Sequence, residues 1–523
     1  MPQEPEHGAI YWFLHNTLEG VTNAFKRHWL GTGVTMLVIA FVLFGTRAIY
    51  HPYVIMVRTK SFMLVPVVLL FWVWRWARRK RTSTKVLVSA ACLAGLAGLY
   101  FWGGTVHDYL ALYNRYRTLR VAVWDELPTT NHERMQPLNS IYSLAHEKVA
   151  TEMESPQRPH FVRIKKDYMW TMSVEPAHIS RFSSVKEVIA VSDASPDFSK
   201  RDAVSFEVGE NMLLGKNTRA ATIKNFNLWR YLNYEPKDVR LMKDDKEQWV
   251  QVVALVRWKG FFFPRPEFGG VQIVRQQRAT LLGDLWLMMF GTGEWISPQN
   301  IQKYPFLVGQ SLLPHDVSRY IAESFRFQNG FLGPMPFNHN GDVRVPDLPA
   351  DVNEQPFTAH FEHAGKGTLY HYFDLEPFDP NKQGLSLSIF IPADGSSIMT
   401  DAVYVYDHSK HGESLTGVSA IASKVMDSRM MFDWKRHKPV EHRPFIRDIG
   451  GKRHFFWLTS VVTLKEGTNQ TDGTWFIAGS YGPNIVLTDA KYNVPVWVGS
   501  DPGKWIDELK ADATLQAAWV GKR

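Results

Sequence analysis

Polar positions almost vanish from three stretches of the first hundred residues, about 29–49, 61–77 and 86–106. Each run is near the length a helix needs to cross about 30 Å of hydrocarbon, so the pattern predicts three transmembrane helices, with Pro66 tolerated inside the second. Ahead of them Ile10, Leu14, Leu18, Val21 and Phe25 fall at helical spacing with Glu19 and Asn23 between. This predicts an interfacial amphipathic helix within a cytoplasmic segment, residues 1–28. The middle of each run lacks Asp, Glu, Lys and His, which argues against coupled transport. In the third run Ala90, Ala94 and Gly98 recur at spacing four beside Ala91 and Gly95. Such small residues let helices approach closely and predict packing within the bundle or between copies of the chain.

Beyond residue 106 the pattern changes to short alternating runs with turn signals between them, and it repeats. Gly209 to Gly215, Val239 to Asp245, Trp249 to Gly260 and Phe268 to Val274 return in the same order as Gly412 to Gly417, Phe445 to Asp448, Phe455 to Gly467 and Tyr481 to Leu487. Upstream, Trp170–Pro176 matches Tyr370–Pro377. The expected fold class is therefore an α-helical anchor of three spans (29–106) followed by α+β structure: two tandem, duplicated antiparallel-sheet modules, 136–330 and 331–523. Each carries one helix, at about 212–230 and 414–431, and residues 107–135 read as a helical stalk and linker.

Charge adds direction. Residues 1–106 hold eleven Lys and Arg against three acids, which accounts for the whole net charge of +8; the remaining residues carry 48 of each sign. A neutral large region offers little to a phosphate backbone, so nucleic acid is not an expected partner. The cluster Arg75, Arg78, Arg79, Lys80, Arg81 and Lys85 marks the cytoplasmic side by the positive-inside rule. The modules then lie outside the cytoplasm. One cysteine, Cys92, excludes an intramolecular disulfide and any cysteine-built metal site.

Candidate chemistry is sparse. Nine of the nineteen histidines fall between residues 339 and 454, including His360, His363, His408 and His411, with Asp374 and Glu376 nearby. On a strand His360 and His363 point to opposite faces, so they do not chelate jointly, and surface or capping roles fit them better than a metal site. Asp342, Asp347 and Asp351 lie in a polar connector without the spacing of a calcium loop. Ser183 and Lys186 match one element of a serine–lysine enzyme without a partner motif, and the aromatic run Trp258 to Phe263 reads as a buried strand and its exit. No nucleophile elbow, phosphate loop or dinucleotide fingerprint occurs, and no cofactor is expected. These readings point to a non-enzymatic, membrane-anchored assembly or protein-binding component. Its partners are the bilayer and other proteins or itself, as a homo-oligomer or in a larger complex. The alternative is an envelope metal-assisted hydrolase built on the later histidines.

Overall fold

A computed structural model describes residues 29–60, 64–77, 82–98, 103–149, 151, 153–165, 167–178, 184–193, 199–277, 280–332, 341–348, 355–379, 382, 384–395, 402–427, 432–464, 484–512, 514–516 and 519. The predicted helix within 1–28 and the residues Arg78, Arg79, Lys80 and Arg81 lie outside them. The chain folds as α+β structure with mostly antiparallel sheets.

The three predicted spans are not what the apolar runs form. Helix α1 (Trp29–Gly45) has 17 residues and gives way at Thr46 to α2 (Arg47–Thr59), the pair bent by 70°. Helix α3 (Leu64–Ala77) has 14 residues and α4 (Thr82–Gly98) has 17, and the third run continues into a separate helix, α5 (Gly104–Thr118). At 1.5 Å per residue α1, α3 and α4 reach about 25, 21 and 25 Å. Among the described residues no single helix is long and apolar enough to cross a membrane; by length and composition only the bent α1–α2 pair meets that measure. Hydropathy had joined residues that the backbone separates.

The predicted stalk is also absorbed into the fold. Helix α5 packs on helix His315–Ser324, burying Arg115, and Tyr109 and Tyr113 meet Phe327 and Phe331 edge-on. After Thr118 the chain turns to strand. Arg120–Val123 and Thr129–Asn131 join the sheet of the second half, the former parallel to Ala402–Asp407 with Arg120 opposite Ala402.

The two halves run through the same succession of elements. In the first, strands His160–Ile164, Asp167–Pro176, Val185–Ser192 and Ser199–Phe206 precede helix Thr218–Asn225, the short helix Leu228–Asn233, the hairpin Tyr234–Lys243 and Trp249–Lys259, then Arg265–Arg275 and Glu294–Ile296. In the second, strands Phe357–His363, Lys366–Pro377, Leu387–Pro392 and Ala402–Asp407 precede helix Val418–Asp427, the hairpin His437–Ile449 and Lys452–Thr463, then Asn484–Asp489 and Val494–Gly499. Each half thus has two antiparallel sheets with a helix between them in sequence.

Strand alternation shows how the halves share a core. Along Trp249–Lys259, Val250, Val252 and Val256 enter one cluster while Val253 and Leu255 enter another, the period of two that a pleated strand imposes. Along Lys366–Pro377, Phe373 and Leu375 face that same first cluster, whereas Tyr370 and Tyr372 face the core of the second half, under Ile421 and Trp457. Helix His315–Ser324 lies between, its apolar side given by Val317, Ile321 and Ala322. One continuous apolar layer therefore joins the halves.

Candidate functional site

At the bend between α1 and α2 one side chain, Arg47, gathers three carbonyls. Arg47 Nη1 donates to Phe44 O at 2.6 Å and to Met289 O at 2.8 Å, and Nη2 donates to Lys224 O. These carbonyls end three helices, α1, Leu281–Phe290 and Thr218–Asn225. Terminal carbonyls lack intrahelical donors and carry the negative end of the helix dipole, so one guanidinium satisfies three ends at once. Arg58 fixes the other end of α2, with Nε donating to Asn233 Oδ1 at 3.0 Å and Nη2 to Gly260 O. Between them Ala48, His51 and Ile55, at spacings of three and four, face the first half, where His51 meets Tyr231 edge-on at 5.1 Å.

The outward side of α2 is apolar as well. Ile49, Tyr50, Tyr53, Met56 and Val57 are exposed. Around this helix the first half adds further bare apolar groups: Leu228 (75% exposed) and Trp229 on the short helix, Phe261 (70%) and Phe262 beside Arg58, and Leu282 (79%), Leu285 and Trp286 on Leu281–Phe290. The aromatic run ending at Phe263 thus leaves its strand to form surface. Folded proteins seldom expose so many large apolar side chains together unless something covers them. Helices α1, α3 and α4 continue the apolar surface with Leu37, Phe41, Trp72 and Leu87.

The small-residue stripe divides on this geometry. A Cβ on Gly95 would stand 3.3 Å from the Leu70 side chain of α3, and Cys92 lies one turn earlier on that contact. Ala90, Ala91, Ala94 and Gly98 are exposed, and a Cβ on Gly98 would meet nothing within 4 Å. Of the basic cluster, Arg75 is exposed at the end of α3 and Lys85 lies in α4.

The histidines do not converge. His360 sits near His132, ring centroids 5.4 Å apart, while His363 stacks on Trp124 at 4.3 Å. His408 is fully buried, Nδ1 2.7 Å from Glu413 Oε2 and Nε2 2.9 Å from Ser388 Oγ; burial lowers its pKa, against the pull of Glu413. His411 is exposed, stacked on Tyr406 at 4.5 Å with Nδ1 2.8 Å from Asp407 O. Among the described residues no group of three or more His, Cys, Asp or Glu is placed to hold a metal ion. Asp342 is buried and accepts from Asn329 Nδ2 at 2.9 Å, Asp347 lies 3.8 Å from Arg319, and Asp351 and Ser183 are outside the described residues.

Asp374 and Glu376 act away from those histidines. Asp374 Oδ2 accepts from Val418 N–H at 2.6 Å, and Glu376 accepts from Ser419 N–H at 2.9 Å and Ser419 Oγ–H at 2.7 Å. Both carboxyls thus cap the start of helix Val418–Asp427. Burial, and for Asp374 also the adjacent Glu376, raises both above the usual carboxylate range. The sequence signal for Arg47 was its place directly after Gly45-Thr46, which interrupts the first apolar run; the carbonyls it serves lie far off in sequence.

No protein-family model, curated protein or solved structure matches this chain.

Proposed function

We propose that the protein is a membrane-seated, non-catalytic component of an envelope assembly, its folded part outside the cytoplasm and lying against the bilayer through the surface around α2. The apolar collar carries this reading. Leu228, Trp229, Phe261, Phe262, Leu282 and Trp286 surround a helix whose outer side is itself apolar, and amphipathic aromatic rings favour the level of the lipid headgroups. The tandem sheet units and their balanced charge support a role in holding proteins together, and the separate engagements of His360, His363, His408 and His411 count against the hydrolase.

The seating is tested with brominated phospholipids, which quench tryptophan emission at the membrane interface. The wild-type chain in such vesicles should lose clearly more emission than a Trp229→Phe, Trp286→Phe double variant. Equal fractional quenching would place the collar away from lipid. In right-side-out vesicles, added protease should cut the folded part; full protection would reverse the orientation.

A further inference from the structure

A pocket of about 190 Å³ opens at the seam where the first half, helix His315–Ser324 and the second half's Thr358 come together. That is roughly the space of six waters at ~30 Å³ each. Strand alternation supplies its chemistry. Along Tyr234–Lys243, Val239 and Leu241 enter apolar clusters, and the alternate residues Asp238 and Arg240 face the pocket. Arg158 and His160 reach it from the neighbouring strand region, and His315 from the first turn of its helix.

Three observations leave positive character unanswered there. Arg240 is only 4% exposed; its Nη2 lies 3.3 Å from Asp238 Oδ2, but its Nη1 has no hydrogen-bond partner among the described residues. A buried guanidinium donor without an acceptor is costly, and native proteins usually supply one. Arg158 has no ion pair or hydrogen bond among the described residues although it lines the same wall. The ten-residue helix His315–Ser324 opens at Pro314 with no side-chain cap, so its positive end borders the pocket.

The other charges of the wall do not add to a positive surplus, since one lysine faces two carboxylates and Asp316 stands in the first turn of the helix. Lys237 lies 2.8 Å from Glu235 and 3.1 Å from Asp316, Arg134 pairs with Glu441, and Asp238 serves Arg240. The two imidazoles are held neutral: burial, with Arg240 and Arg158 adding to it, lowers His160 to about 3 and His315 to about 4, although Asp238 pulls the other way. Both rings line the pocket. The donors left without a close acceptor are therefore the Arg158 guanidinium, which only faces Asp238 at longer range, and Nη1 of Arg240.

We propose that this pocket binds a small oxyanion, a phosphate or carboxylate group, held between Arg158 and the unpartnered edge of Arg240 at the start of helix His315–Ser324. Asp238 orients Arg240 from one side, and the ligand takes the other. Guanidinium geometry suits two-oxygen recognition of either group.

The test uses the full-length chain in detergent, titrated with sodium phosphate or sodium acetate at ionic strength held constant with sodium chloride, and read by thermal unfolding and calorimetry. One of the two should raise the midpoint saturably, and whichever saturates at lower concentration identifies the group. Arg158→Ala should keep the unliganded midpoint and weaken that binding about tenfold or more. Arg240→Gln should abolish binding; should it fail to fold because Asp238 is left alone, Arg158→Ala still decides. Midpoints that follow ionic strength regardless of the anion, or an Arg158→Ala chain that binds as wild type, would overturn the proposal.

Discussion

The two halves place a glutamate at the same point, the end of their long strand before a proline, and use it differently. Glu175, in Asp167–Pro176, accepts from Ser173 Oγ–H at 2.7 Å and from the backbone N–H groups of Glu210 and Asn211 at 3.1 and 2.7 Å. It secures the loop ahead of helix Thr218–Asn225, and the helix is capped by its own Asn217, which accepts from Ala220 N–H at 3.1 Å. In the second half Gly417 stands directly before the helix and offers no side chain, so Glu376 and Asp374 reach across to cap it. A Cβ on Gly417 would collide with the Glu376 carboxylate, so a capping residue does not fit there. Where the first half has the hydroxyl of Ser173 two residues before its glutamate, the second has a carboxyl, and two buried acids side by side do not both ionise easily.

This contrast can be broken at its strongest point by removing the charge from each glutamate. Glu175→Gln should cost about 3 kcal/mol in urea unfolding, because three donors share its two oxygens in a buried place and an amide leaves only one oxygen to accept. Glu376→Gln should cost less, about 1 kcal/mol, since burial already disfavours the charged form of its carboxyl and two donors, not three, rest on it. Equal losses would show that the two glutamates do the same work in their halves.

Asp374→Asn sharpens the contrast through pH. The folded state holds Asp374 protonated above the pH where the unfolded chain releases that proton, near 4. Its contribution to stability is therefore complete below about pH 4 and declines as pH rises toward the elevated folded value, by at most about 1.4 kcal/mol per pH unit. The asparagine variant should lose this decline and gain on wild type as pH rises above about 4. Parallel pH profiles for the two chains would show that Asp374 does not carry it. The first half's own cap gives an effect without pH dependence: Asn217→Ala should lower stability by about 1 kcal/mol at every pH.

How much of this could be read beforehand depended on how local each cause was. The apolar run of Trp249–Lys259 and the match of Tyr370–Pro377 to Trp170–Pro176 located two strands, because burial on both faces leaves apolar residues at consecutive positions. The helices expected at 212–230 and 414–431 occur as Thr218–Asn225 with Leu228–Asn233, and as Val418–Asp427. Strands Arg120–Val123 and Thr129–Asn131 have four and three residues, too few to show a period, so the sequence alone runs them into the stalk. The 70° bend was hidden in an apolar run because hydropathy is blind to the carbonyls of Lys224 and Met289 that Arg47 serves. Asp374 and Glu376 were noticed beside histidines, but their partners are backbone N–H groups at 418 and 419, which no composition reveals. The pocket at the seam draws on residues from 134 to 358, and only the folded chain brings them together.

Strand Arg120–Val123 also sets a clock on the newborn chain. Its hydrogen-bonding neighbour, Ala402–Asp407, leaves the ribosome about 280 residues later, a wait of roughly 15–60 s at ~5–20 residues per second. Throughout that interval the strand has an unpaired edge, and the first half can finish its own sheets while the apolar layer it will share with Phe373 and Leu375 stays open. Synthesis therefore carries a long-lived half-built species whose open side is sticky by construction. A chaperone able to hold such a surface, or a pause that shortens the delay, would raise yield far more than any single substitution in the finished fold.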